Sequence, residues 1–191
     1  MLKVAIVVGS TRPGRKADAV AKWVLDIARK RGDATYEILD IADYNLPLLD
    51  EPTPPSMRRY TKDHTKRWSA AVEGFDAFVF VTPEYNRAPS AALKNAIDFL
   101  YQEWNNKAAG FVGYGSAGGS RAIEHLRTIM GELQIADVRQ PVLLSLFTDF
   151  ENYTVFKPAA AHEATVGTML GQVVAWGEAM KSVRAKQKAA A

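Results

Sequence analysis

The sequence contains no cysteine, which excludes disulfides, thiolate metal ligands and cysteine nucleophiles. Only three histidines occur, His64, His125 and His162, far apart and without metal-ligand spacing, so no metal site is expected. No apolar run approaches the ~20 residues of a membrane span, and the chain enters an apolar strand at Leu2 without a signal-peptide pattern. A cytoplasmic location away from membranes is therefore expected. Neither sign of charge dominates: 24 Lys and Arg against 21 Asp and Glu give a net charge of +3, scattered along the chain. No stretch alternates basic with aromatic residues, so nucleic acid is not expected as a partner, and small anions suit this balance better. Any redox chemistry has to come from a cofactor.

What the chain does have is an apolar backbone of structure. Its 191 residues, 48% hydrophobic, suit one compact domain over 1–191 that buries roughly 70% of its unfolded surface, with 183–191 expected to fray. Leu2–Val8 is an almost unbroken apolar run, the signature of a parallel strand covered on both faces. It leads into GSTRPGRK (9–16), and then Ala17, Val20, Ala21, Val24, Leu25 and Ala28 recur at helical spacing. A turn at the carboxyl end of a buried strand, opening a helix, presents unpaired N–H groups and the positive end of the helix dipole. Ser10 and Thr11 add hydroxyl donors, and Arg12 and Arg15 add charge-assisted bonds. The loop is built to hold a phosphate. It is not a nucleoside triphosphate loop, because Arg15 stands where that pattern needs lysine and no Ser or Thr follows. Nor is it the dinucleotide fingerprint, since Gly9 is followed by Ser10 and Thr11 before a second glycine.

The same unit recurs. A strand is expected over 35–41, a proline-rich loop over 45–56, a helix over 57–75 and a second fully apolar strand over 75–83. That strand ends in PEYN (83–86), and Ser90 is placed to cap a helix through Tyr101. A strand over 108–114 ends in GSAGGS (115–120) before a helix to about Leu133. A fifth strand over 138–147 carries Pro141, which implies a bulge or an edge position. An irregular aromatic stretch over 149–158 and a final helix follow. His64 reads as a packed residue of the second helix. Five strands alternating with five helices give an α/β three-layer sandwich, a parallel sheet of order 2-1-3-4-5. In that order the loops after strands 1, 3 and 4 meet at the crevice where ligands bind. A phosphate at loop 1 with a planar body lying over loops 3 and 4 has the shape of flavin mononucleotide (FMN). Tyr85 would pack on the ring and Asn86 would meet its polar edge; Glu84 reads as a brace for the turn rather than an acid or base.

GSTRPGR (9–15), TPEYN (82–86) with LKNAIDFL (93–100), and YGSAGGSRA (114–122) resemble the NADPH-dependent FMN reductase family of flavodoxin-like proteins. The resemblance covers about residues 2–145 and continues more weakly to the last helix. It implies FMN held at the subunit interface of a homodimer or homotetramer. It implies that Ser10, Arg12 and Arg15 bind the phosphate, that Pro83, Glu84, Tyr85 and Asn86 hold the isoalloxazine, and that Ser116, Gly118 and Gly119 complete the pocket. Arg87-Ala88 departs from the small or hydroxyl residues relatives often carry there. The expected activity is hydride transfer from NADPH or NADH to FMN and on to a small acceptor such as a flavin or quinone, with no catalytic acid or base from the protein. The alternative is a non-enzymatic electron carrier of the flavodoxin type. Such carriers resemble acidic chains whose phosphate loops lack arginine, unlike this one.

Overall fold

The computed structural model describes residues 1–190. Five parallel strand positions carry the architecture. The strands β1 (Leu2–Val8), β2 (Ala34–Asp40), β3 (Ala77–Pro83) and β4 (Ala108–Gly115) lie in the order β2-β1-β3-β4. Beyond β4 the edge position is shared by β5 (Ala136–Asp137) and β6 (Val142–Ser145), both parallel to it. The order 2-1-3-4-5 is as expected. Helices α1 (Ala17–Arg29), α2 (Asp63–Glu73), α3 (Ala91–Asp98), α4 (Ser120–Glu132) and α5 (Ala161–Ala190) flank the sheet, and β7 (Phe150–Glu151) pairs antiparallel with β8 (Val155–Phe156) in a small hairpin.

Strand side chains alternate between faces, so each buried strand feeds two cores. Val4, Ile6, Val79, Val81 and Val112 pack against α1 and α5, through Val20, Val24, Met169 and Val173. Ala5, Val7, Phe78, Phe80 and Phe111 pack against α2, α3 and α4, through Trp68, Leu93, Ile97, Ile123 and Leu126. Trp68 Nε1 donates to the Ala96 carbonyl at 2.7 Å, which ties α2 to α3 inside that second layer.

Three boundaries differ from expectation, each for a local reason. The fifth strand is not continuous over 138–147. Asp137 faces Ala109 and Val142 faces Val112, so the edge spends four residues where β4 spends two, around a proline that has no N–H for the ladder. The second helix begins at Asp63 and not at 57. Arg58 is left-handed (φ 52°), and the Glu51 carboxylate accepts the N–H groups of Thr61 (2.8 Å) and Lys62 (3.0 Å), holding the approach extended. Pro55–Met57 forms only a short 3-10 turn. The third helix does start at Ser90, whose Oγ accepts the Leu93 N–H at 3.1 Å, but it ends at Asp98. The last helix takes in residues 183–190 of the stretch expected to fray; Ala191 lies outside the described residues. No helix among those residues is long and apolar enough to cross a membrane.

Candidate functional site

Loop 1 (residues 9–16) leaves the sheet beside β3. Gly9 N–H donates to the Val81 carbonyl at 2.8 Å, and a Cβ on Gly9 would stand 2.6 Å from that oxygen and 2.9 Å from Leu93 Cδ2. Only glycine allows this approach. Ser90 Oγ donates to the Gly9 carbonyl at 2.6 Å, so the residue that caps α3 also pins the start of loop 1. Beyond this anchor the loop keeps its donors. Among the described residues the N–H groups of Ser10, Thr11, Gly14 and Lys16 meet no protein acceptor.

The two arginines of the loop have different lives. Arg15 Nη1 donates to Asp40 Oδ1 at 2.8 Å, Nη2 pairs with Asp40 Oδ2, and Nε reaches Asp18 at 2.8 Å. Nη1 also donates to the Ser10 carbonyl. The bonds to Asp40 hold the Arg15 guanidinium well above its usual range against the opposing effect of burial. Four of its five N–H donors are thus spent on the protein, and Arg15 shapes the loop rather than standing ready for a phosphate. Arg12 is exposed and has no carboxylate within 4 Å among the described residues; it is the loop's available guanidinium. The signal for Arg15 lay 25 residues away, in Asp40, whose Oδ1 also accepts the Ala42 N–H at 2.9 Å.

Loop 3 follows β3. The Glu84 N–H donates to the Tyr114 carbonyl at 2.9 Å. Its side chain is 3% exposed and pairs with the Arg121 guanidinium, while Oε2 accepts the Arg121 N–H at 3.0 Å. Glu84 therefore braces loop 3 against the start of α4, and its carboxylate is taken up there and not offered to a ring. Among the described residues Arg121 Nε is buried without a partner. Tyr85 and Ala88 exchange backbone bonds of 2.9 and 3.0 Å across a two-residue turn, with Asn86 (φ 50°) and Arg87 (φ 71°) both left-handed.

Loop 4 packs its glycines tightly against neighbouring strands. A Cβ on Gly119 would meet Gly113 Cα at 2.6 Å, and one on Gly118 would meet Leu143 Cβ at 3.0 Å. Both glycines are buried, and the space they save is filled by the protein's own strands. Their lack of side chains lets the loop pack closely on β4 and β6. Ser116 is exposed at the rim. Tyr114, not singled out from the sequence, ends β4 at 5% exposure; burial pushes its phenol up, so it stays protonated and able to donate.

These loops enclose a cavity of about 80 Å³ lined by Arg12, Lys16, Pro83, Tyr85, Tyr114 and Leu146, with Arg15 and Glu84 also at its wall. Tyr85 also lines a second, outer groove of about 430 Å³, with Asn86, Pro89, Lys94, His125 and Ile129. Thr11 faces a separate cleft of about 390 Å³ with Ile41, Asn45 and Asn95. Ser10 is 1% exposed beneath the loop. The structure thus brings Arg12, Arg15, Pro83, Glu84 and Tyr85 to one hollow, sets Asn86 just outside it, and leaves Thr11, Ser116, Gly118 and Gly119 off its wall. Unspent loop donors, a free guanidinium and the orphaned Arg121 Nε fit a phosphorylated planar group.

Residues 2–149 match the family described as NADPH-dependent FMN reductase. A NAD(P)H-dependent FMN reductase of Schizosaccharomyces pombe is 36% identical over 169 residues, 87% of this chain and 84% of that protein. One from a Nectria species is 44% identical over 128 residues; the match covers 64% of each chain, so slightly under two thirds of that relative is spanned. The solved structure of FerB, a flavoenzyme NAD(P)H:(acceptor) oxidoreductase from Paracoccus denitrificans, superposes with a TM-score of 0.73 at 22% identity. It covers 94% of this chain and 99% of that one, and shows the shared flavodoxin-like fold. With its sheet order, its phosphate-type loop and these matches, the chain belongs to the NADPH-dependent FMN reductase family, oxidoreductases whose cofactors are FMN and NAD(P)H.

Proposed function

We propose that the chain binds FMN across loops 1, 3 and 4 and catalyses hydride transfer from NAD(P)H, by way of that flavin, to a small acceptor such as a free flavin or a quinone. The observation that carries this reading is the unequal fate of the charges at the crevice: Arg15 is consumed by Asp40 and Asp18, while Arg12 and four loop N–H groups stay available beside a hollow floored by Pro83, Tyr85 and Tyr114. Arg12 and the loop amides would take the phosphate, with Ser10 and Arg15 fixing the loop around it. Pro83 and Tyr85 would flank the ring system, and Asn86 would meet its polar edge from the turn. FMN, when bound, supplies the redox chemistry by accepting and then passing on a hydride. The protein's part is alignment of two planar reactants and the exclusion of water between them; Glu84, buried in its pair with Arg121, moves no proton. A second copy of the chain completes the crevice in this reading, giving a homodimer or a higher homo-oligomer, in the cytoplasm.

The test is an anaerobic spectrum of the FMN-loaded protein. Bleaching of the flavin bands on adding NADPH or NADH is expected. Flavin that stays yellow with both would replace the reductase with an electron carrier, and failure to retain flavin would remove FMN as a resident cofactor.

A further inference from the structure

The turn that closes loop 3 is chemically odd. A two-residue turn with both central residues left-handed favours Asn-Gly, because a side chain at the second position crowds its own backbone. Here the second position is Arg87, at φ 71°, after Asn86 at φ 50°. Nothing in the protein rewards the arginine: it is exposed, and no carboxylate lies within 4 Å of it among the described residues. Strain of this kind, kept without an internal partner, marks sites that meet a ligand.

Its position sharpens the point. Arg87 stands between Asn86 and Ala88, which both line the outer groove with Tyr85. Two other cations close to that groove are accounted for. Lys94 is held by Asp98 at 2.8 and 2.6 Å and Arg121 by Glu84. Arg12 belongs to loop 1 and lines the inner cavity. Arg12 at the inner cavity and Arg87 beside the outer groove are thus two guanidiniums without a carboxylate partner among the described residues, one more than a single flavin phosphate requires.

Resting on the reading of this crevice as a flavin site, we infer that Arg87 determines specificity for an anionic group on the reactant that enters the outer groove. Two reactants could bring such a group: the extra phosphate of NADPH, absent from NADH, or a carboxylate or sulfonate on the acceptor. Arg87 would pair with it from solvent, so the interaction weakens with ionic strength.

Arg87→Gly is the clean variant, since glycine is the residue the turn prefers. FMN retention is measured first in parent and variant: a parent that holds no FMN overturns the flavin reading and this inference with it, whereas retention in both confines any change to the Arg87 contact. The ratio of kcat/KM for NADPH over NADH is then compared with a neutral quinone as acceptor, and the ratio for an anionic over a neutral quinone with NADH as donor. Binding of 2′-phosphoadenosine by calorimetry gives a readout independent of turnover. A fall of about tenfold in one ratio, the scale of a single charge-assisted bond, is expected, with partial recovery in Arg87→Lys. A fall in the first ratio together with lost nucleotide binding assigns the dinucleotide phosphate; a fall in the second alone assigns the acceptor. Both ratios unchanged in the variant would show Arg87 to be a solvated surface arginine and overturn the inference.

Discussion

The two ends of the sheet treat charge in opposite ways. At the amino-terminal end of the strands the buried Glu103 and Lys107 and the half-buried Asp76 each find hydrogen-bond partners within the protein. The Glu103 side chain is 0% exposed and accepts from Tyr60 (3.0 Å) and Ser69 (2.5 Å) while Arg58 Nε lies 3.2 Å away. Lys107, 4% exposed, donates to the Val72 carbonyl at 2.8 Å at the end of α2. Asp76 accepts the Lys3 N–H at 3.0 Å and pairs with Lys181 and Arg184 from α5. At the carboxyl-terminal end, Arg12, Arg87 and the amides of loop 1 are left unanswered, and the charges that are paired there, Arg15 with Asp40 and Glu84 with Arg121, fix loops in place. One end uses electrostatics to close the fold. The other keeps its donors for something the chain does not contain.

Removing Glu103 should produce the largest effect if this contrast is right. Glu103→Ala takes the acceptor from Ser69 and leaves Arg58 with Glu73 and Tyr60 with the Pro55 carbonyl alone, and it is expected to lower unfolding stability by about 3 kcal/mol, read by urea denaturation; a change below about 1 kcal/mol would mean the far end does not close the fold. Lys107 gives the next effect and a sign. Burial, aided by Arg184, lowers its ammonium to about 7, against about 10.4 in an unfolded chain. Between those values the unfolded state binds more protons, so this group makes stability rise with pH from near 7 toward 10. Lys107→Met should remove about 2 kcal/mol of that rise between pH 7 and 9, and an unaltered pH profile would contradict the burial account.

At the crevice end the expected effects are on ligands and not on folding. Arg12→Ala should weaken FMN binding by about tenfold or more and shift stability by less than about 0.5 kcal/mol; equal loss of both would erase the contrast. Arg87→Gly is the smallest, a gain of roughly 0.5 kcal/mol from relieving a left-handed arginine, visible as a raised melting temperature. A destabilised variant would mean the arginine is held by contacts of its own.

Much of this was legible in the residues. Strands buried on both faces are written as continuous apolar runs, so β1, β3 and β4, and with them the three loops at their ends, could be placed from Leu2–Val8, Ala77–Pro83 and Ala108–Gly115. Ser90 was readable as a cap because that role is local. Features set by distant partners were not. The pairing of Arg15 could not be read, because Asp40, its partner, belongs to another strand. The start of α2 was misplaced because Glu51, ten residues before Thr61, holds the chain extended. The close packing of Gly118 and Gly119 on Leu143 and Gly113 could not be read either, since only the folded register brings these residues together. Tyr114 gave no motif signal; its place at the end of a buried strand puts it at the crevice wall.

The most direct test of the central claim compares two flavins that differ only in the phosphate. Fluorescence titration of the protein with FMN and with riboflavin reads the contribution of loop 1 without any turnover. The account predicts that FMN binds at least tenfold more tightly, that the preference shrinks in Arg12→Ala, and that it falls as salt is raised. Equal affinity for the two flavins would contradict it, because the unspent donors of loop 1 would then have no phosphate to hold.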